Sequence, residues 1–379
     1  MPTPRPLSRP WSSALIFGTQ KDMPNTSLRF EVPFLPDENY VRFLAKHSSH
    51  VACIYFSLHE ASILDARAGV FPLPVQEISS LLQTLPGIPK YALLNSRFHA
   101  PANLLDSQQV DRILSKLQTL YQKGCLDGIV YVDHYLVAAL SDRNPELCAQ
   151  LEAVPGANCL LDSMPRIHQH LELIAHTAFQ SPGKLVLDRT LNRDLPRLEE
   201  ISRACGRLWP GMRLGLLANE GCLPHCPFKL AHDANIALGR IDPGQEQTFA
   251  INTSLGCART FLRDPSLILR SPFIRPEDTK AYAPYVQDIK LGGRTRGAQV
   301  MRKILELYIR RSYSGNLLEL MDTQEFLADK LYVANQDLPA EFGARTMQCG
   351  LRCYECSYCR NLAATHVQNL GLHIKPMWV

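Results

Sequence analysis

No apolar run in this chain approaches 20 residues, which excludes a membrane-spanning helix. Charge of one sign is also scarce: 40 Lys and Arg stand against 36 Asp and Glu, a formal +4. That balance gives no strong nucleic-acid or membrane-surface signal. No Gly-rich dinucleotide fingerprint follows a strand candidate, and neither H-E-x-x-H nor G-x-S-x-G occurs, so the commonest metalloprotease and serine-hydrolase signatures are missing. At the amino terminus the apolar patch Leu15–Phe17 is too short for a signal-peptide core, and no small-residue cleavage site follows it. Residues 1–27 read as a loose arm, and the chain reads as cytoplasmic.

What is present is core-forming material. Of 379 residues, 46% are hydrophobic and 20% charged, which excludes a disordered chain. The length suits one large domain with appendages, or two domains. Short apolar runs alternate with amphipathic stretches. Strands are predicted at 28–32, 51–56, 91–95, 128–132, 158–161, 184–187 and 213–217, with an eighth at 248–252 or 286–291. Helices are predicted between them at 37–45, 75–83, 110–123, 165–178 and 195–208. The repeat predicts an α/β fold, a (β/α)8 TIM-barrel-like domain over residues 28–297. A helical and cysteine-rich extension, 298–379, follows it.

Polar residues collect where these strands end: Asn95, Asp133 with His134, Asp162, Asp188 with Arg189, and Asn219 with Glu220. In a barrel such ends share the face on which active sites are built. Each can equally cap the following helix.

Twelve cysteines carry the strongest chemical signal. Cys53, Cys125, Cys148, Cys159 and Cys205 lie scattered in apolar surroundings and read as buried thiols. The other seven follow residue 220. Cys222 and Cys226 form a Cys-x3-Cys past the seventh strand, Cys257 comes next, and Cys349, Cys353, Cys356 and Cys359 form a Cys-x3-Cys-x2-Cys-x2-Cys run. Thiolates at such spacings converge on one soft ion or cluster, whereas disulfides there are strained. Zinc ribbons separate their two knuckles by a dozen or more residues. This run does not, so one or two 4Fe–4S clusters are the expected cofactor, with zinc the alternative. The tail has its own cluster, or lends a ligand to the three barrel cysteines. Two clusters would be one cysteine short, leaving an open position for water, substrate or His232.

Three segments, in order, resemble the collagenase-like peptidase family, U32. Gly124-Cys-Leu-Asp-Gly-Ile-Val-Tyr-Val-Asp133 is similar to its "G-x-D-x-I-x-V-x-D" strand. Leu185-Val-Leu-Asp-Arg189 is similar to "V-V-L-x-R-E", and Asp288-Ile-Lys-Leu-Gly-Gly-Arg294, leading to Tyr308, to "D-x-x-K-I-E-G-R … Y". The resemblance covers roughly residues 90 to 310 and implies a barrel-like fold. For the family's oxygen-independent hydroxylation members it also implies a four-cysteine 4Fe–4S site, in the region that Cys222, Cys226 and Cys257 occupy. This chain departs from the pattern at Gly292–Gly293, where the family has Glu, at Thr190 after Arg189, and in its additional cysteine tail.

The leading expectation is an iron–sulfur-dependent redox enzyme that hydroxylates or otherwise tailors an organic small-molecule or peptide substrate without oxygen. Lys290 and Arg294 would hold an anionic group, and Asp133 or His232 would move protons. The alternatives are a collagenase-like peptidase, or a non-catalytic iron–sulfur accessory subunit serving an electron-transfer partner protein.

Overall fold

Eight short strands run parallel and side by side in the order β5-β4-β3-β2-β1-β8-β7-β6. They are β1 Arg29–Pro33, β2 Val51–Ser57, β3 Lys90–Leu94, β4 Gly128–Tyr131, β5 Glu152–Pro155, β6 Lys184–Leu187, β7 Arg213–Leu217 and β8 Asp288–Lys290. The computed structural model describes residues 28–58, 65–66, 73–242 and 247–371; the amino-terminal arm lies outside them. Between the two end strands a parallel bridge joins Glu152 to Gln180, where Gln180 N–H donates to the Leu151 carbonyl over 2.9 Å. The sheet is thus rolled into a near-closed barrel, as the sequence predicts. Among the described residues no helix is long and apolar enough to cross a membrane.

Helices cover the outside because their apolar residues recur every three to four positions. In Leu195–Leu208 the buried stripe is Leu198, Ile201, Ala204 and Cys205, and the Asp194 side chain caps the start by accepting the Arg197 N–H. Helix Ala298–Arg310 turns Met301, Ile304, Leu305 and Tyr308 inward; the Tyr308 ring meets Phe30 of β1 edge-on. The large outer core therefore fills the space between helices and strands.

Two strand expectations are corrected. The fifth strand is Glu152–Pro155, not 158–161; Ala157–Cys159 is a 3-10 turn, and Leu160 takes a left-handed φ of 56° that no strand permits. Residues 248–252 belong to the helix Thr248–Ser254. Their β-type composition finds no partner strand there, Phe249 and Ile251 stay exposed, and local hydrogen bonds such as Leu255 N–H to Ile251 C=O, 2.8 Å, win. The eighth strand is the other candidate, at Asp288–Lys290.

The barrel interior is partly polar. Apolar groups of Cys53, Tyr55, Tyr91, Leu93, Val130 and Val154 form a small inner core. Among them lie Glu31, Lys184, Asp288 and Lys290, with Arg213 reaching in to pair with Asp288. Among the described residues the carboxy-terminal extension forms a two-stranded antiparallel ribbon of β9 Leu331–Val333 and β10 Val367–Asn369.

Candidate functional site

The carboxyl ends of the strands gather most of the singled-out polar residues. After β6, Asp188 accepts from the Thr190 N–H, 2.9 Å, and from the Thr190 hydroxyl, 2.6 Å, which makes it a turn cap. Arg189 instead forms a buried ion pair with Glu220, beyond β7. The same carboxylate accepts from the Cys222 thiol at 3.3 Å. Cys222 is held by Gly221, whose N–H donates to Thr323 Oγ1 over 2.9 Å. A Cβ on Gly221 would come within 2.5 Å of Gln324, so only glycine fits this approach. Burial, with Glu220 beside it, pushes the Cys222 thiol well up.

Asp233 is a second buried carboxylate at this end, 3.0 Å from Arg97 and 2.5 Å from Lys229. Lys229 also donates to Asn158 Oδ1 over 2.9 Å. Between β7 and β8, Cys226 and Cys257 lie within electrostatic reach of one another, and burial raises both thiols. Asn252 stands beside them, its Oδ1 3.7 Å from Cys257 Sγ and its Nδ2 3.4 Å from His232 Nε2. Cys226, Cys257 and His232 are thus brought together, while Cys222 turns toward Glu220.

Asp133, just past β4, does two things. Its Oδ1 accepts the Tyr135 N–H, 3.0 Å, and caps a helix; its Oδ2 accepts the His99 N–H, 3.0 Å, and stands 2.9 Å from His99 Nδ1. A carboxylate only accepts, so Nδ1 carries a hydrogen toward Asp133, and in the neutral tautomer Nε2 is the basic nitrogen. His99 is 4% exposed, and its Nε2 has no hydrogen-bond partner among the described residues.

Lys290 and Arg294 are engaged with other partners. The Lys290 ammonium is inside the barrel, 3.4 Å from the Tyr55 ring centroid and 3.7 Å from Glu31 Oε2. Burial outweighs the attraction of Glu31, and with Lys184 adding repulsion its pKa falls to about 8. Arg294 is paired with Asp65, and burial draws it down to about 10.

The tail thiols form a separate group. Cys349 Sγ is 3.7 Å from the Arg193 carbonyl, Cys359 Sγ is 3.5 Å from the Leu269 carbonyl, and burial pushes Cys359 up to about 11. All twelve cysteines are free thiols. As positioned, no three His, Cys, Asp or Glu side chains among the described residues are spaced to hold an ion.

Sequence reasoning missed His99, Arg97, Lys229 and the Glu31–Lys184 pair. The first two lie in a loop whose residues show no periodicity. Glu31 was visible as a charge at the centre of the strand Arg29–Pro33.

No family model matches the chain. It is 28% identical over 242 residues, 63% of its length, to a protein of Methanocaldococcus jannaschii described as an uncharacterized protease, and spans 65% of that relative. Among solved structures, the U32 peptidase Mk0906 matches over 73% of this chain and 97% of its own, with 14% identity and a TM-score of 0.43. An exo-β-1,4-mannosidase from Opitutaceae bacterium strain TAV5 matches over 59% of this chain and 50% of its own, with 11% identity and a TM-score of 0.32. The three ordered segments that resemble the collagenase-like, U32, peptidase family lie at β4, β6 and β8 of this eight-stranded parallel barrel.

Proposed function

We propose that this chain is a peptidase-type hydrolase that cleaves an amide bond at the carboxyl end of its barrel. One observation carries the reading: the buried His99–Asp133 pair, 2.9 Å apart, with the second imidazole nitrogen unengaged among the described residues. Asp133 fixes the tautomer and orientation. His99 Nε2 takes a proton from a water as its oxygen attacks the amide carbonyl, then delivers that proton to the departing amine. The bond formed is C–O, the bond broken is C–N, and no redox partner is required. The description of the Methanocaldococcus relative as a protease supports the same reaction class. Twelve free thiols suit a reducing, cytoplasmic setting.

A second reading, the iron–sulfur redox enzyme, is favoured by the adjacency of Cys226 and Cys257. Thiolate chemistry fits a 4Fe–4S cluster; the arrangement fits it at these two residues, while Cys222 faces Glu220. Cys222, Cys226 and Cys257 would hold the cluster, which would supply electrons, and a partner protein would have to donate them. Lys290 and Arg294 would reach an anionic substrate only by leaving Glu31 and Asp65.

The test is a mixed-peptide cleavage assay on anaerobically purified full-length protein, compared with His99→Gln. Cleavage by the wild type that falls at least ~100-fold in the variant supports the hydrolase. No cleavage of any peptide, together with iron and sulfide that vanish in Cys226→Ser, overturns it in favour of the redox reading.

A further inference from the structure

The five scattered cysteines are buried, as apolar thiols usually are, but Cys349, Cys353 and Cys359 are only partly covered and Cys356 is exposed. Core packing accounts for Cys359 but not for Cys349, Cys353 and Cys356. Unprotected thiols this dense at a surface are open to oxidation. Gly350 and Leu351 take left-handed φ values of 58° and 55°, turning the chain back between the first two thiols. Cys353 and Cys359 each sit within electrostatic reach of the others in the run. Arg193 and Arg270 lie beside Cys353, where their charge would offset that of a thiolate set.

The tail is also joined to the mouth. Gly350 N–H donates to the Arg193 carbonyl over 2.8 Å. The Arg193 guanidinium lies over the rings of Phe273 and Phe342, at 5.0 and 5.4 Å, and donates to the Ser271 carbonyl over 2.7 Å. The Ser271 hydroxyl donates to the Cys222 carbonyl over 2.5 Å. The helix Tyr358–His366 packs along Ser266–Arg270.

We propose that Cys349, Cys353, Cys356 and Cys359 hold a four-thiolate soft-metal centre of their own, distinct from the mouth cysteines, which fastens the tail to the barrel and braces the Cys222 loop through Arg193 and Ser271. As positioned, no three of these side chains are spaced for an ion, so loading would require them to draw together. Zinc and an iron–sulfur cluster share this ligand chemistry, and metal analysis separates them. The inference is independent of the hydrolase reading.

The experiment compares anaerobically purified full-length wild type, Cys353→Ser/Cys356→Ser and Cys222→Ser/Cys226→Ser for zinc, iron and sulfide. Retention in the mouth variant of about one zinc, or about four irons with sulfide, and its loss in the tail variant support the centre. Equal metal content in the wild type and the tail variant, or none in either, overturns it. The brace is read from iodoacetamide labelling of Cys222 by mass spectrometry. Labelling about tenfold faster in the tail variant, as expected of an easier local opening, supports it; an unchanged rate with the metal lost overturns it. If the tail variant does not fold, chelation of wild type with circular dichroism as the fold control gives the same readout.

Discussion

Lys184 and Glu31 form an ion pair inside the barrel, with Nζ 2.7 Å from Oε2 and both side chains less than a tenth exposed. The lysine also donates to Cys53 Sγ over 3.0 Å. Burial works against both charges. Lys184, Lys290 and Arg213 nonetheless hold the Glu31 carboxyl below its usual range, and Cys53 and Glu31 hold Lys184 above its own. Removing Lys184 leaves the buried Glu31 carboxylate only the longer contact with Lys290, 3.7 Å. Lys184→Met should therefore destabilise the fold by about 3–5 kcal/mol, whereas Glu31→Gln/Lys184→Met should cost less than that single change. Urea unfolding of the wild type, both single variants and the double variant measures the coupling; additive costs would contradict it.

Lys290 gives the barrel a pH signature of opposite sign to that of a lysine stabilised by a salt bridge. Its folded pKa, about 8, lies below the ordinary 10.5, so the unfolded chain binds more protons between those values. Stability then rises with pH across that window. The penalty is fully present below pH 8 and is relieved toward 10.5, by at most about 3 kcal/mol. Other groups titrate there too, so the observable is a difference: the wild type should gain on Lys290→Met as pH climbs from 8 to 10.5. Parallel stability curves for the two proteins would refute the burial of a charged Lys290.

The barrel was legible because strand and helix periods alternate along the chain, and seven of the predicted strands overlap the observed ones. The failures at 158–161 and 248–252 arose where local composition favours a strand but only a neighbouring strand could make one. Asp133 stood out at a strand end, yet its partner His99 lies 34 positions away and no spacing rule connects them. The four tail thiols were legible as a group. Lys290 and Arg294 were visible as cations in the family-like Asp288–Arg294 segment, but their burial against Glu31, Tyr55 and Asp65 is a product of the tertiary fold.

Asn219 pins the ends of β7 and β8 together. Its Nδ2 donates to the carbonyls of Gly292, 3.0 Å, and Leu320, 3.1 Å, and its Oδ1 accepts the Gly292 N–H, 2.6 Å. Asn219→Leu matches its size but leaves three backbone groups without their partner. Each orphaned group costs about 1–3 kcal/mol, so the variant should lose several kcal/mol in chemical denaturation. A loss below 1 kcal/mol would show that water replaces the side chain.

Burial also orders the reactivity of the thiols. Cys53, Cys148 and Cys159 are pushed up to about 12 from an ordinary 9. At pH 8 their thiolate fraction is about a thousandfold below that of an unperturbed thiol, and the thiolate is what alkylates. In chelator-treated, folded protein, iodoacetamide should label exposed Cys356 well before these three buried thiols, with Cys222, also pushed up by burial, among the slow group. Comparable rates by peptide mass mapping would mean that the barrel opens readily.

Asp133→Asn separates the hydrolase reading from a merely structural His99–Asp133 contact. The asparagine can still accept the Tyr135 N–H and cap its helix, as Asp133 Oδ1 does, while an NH2 in place of Oδ2 no longer accepts the buried His99 N–H, a loss of about 1–3 kcal/mol. Facing His99 Nδ1, however, the amide can present its NH2 group. A hydrogen then sits where the imidazole hydrogen was, and the ring answers by moving its own hydrogen to Nε2. The basic nitrogen is lost while the geometry stays. Peptide cleavage should fall by about 10²–10⁴ in kcat, with KM nearly unchanged because no substrate contact has been removed. A variant that loses stability and KM together, with kcat preserved, would make the pair a structural tie and move the proton transfer elsewhere in the mouth.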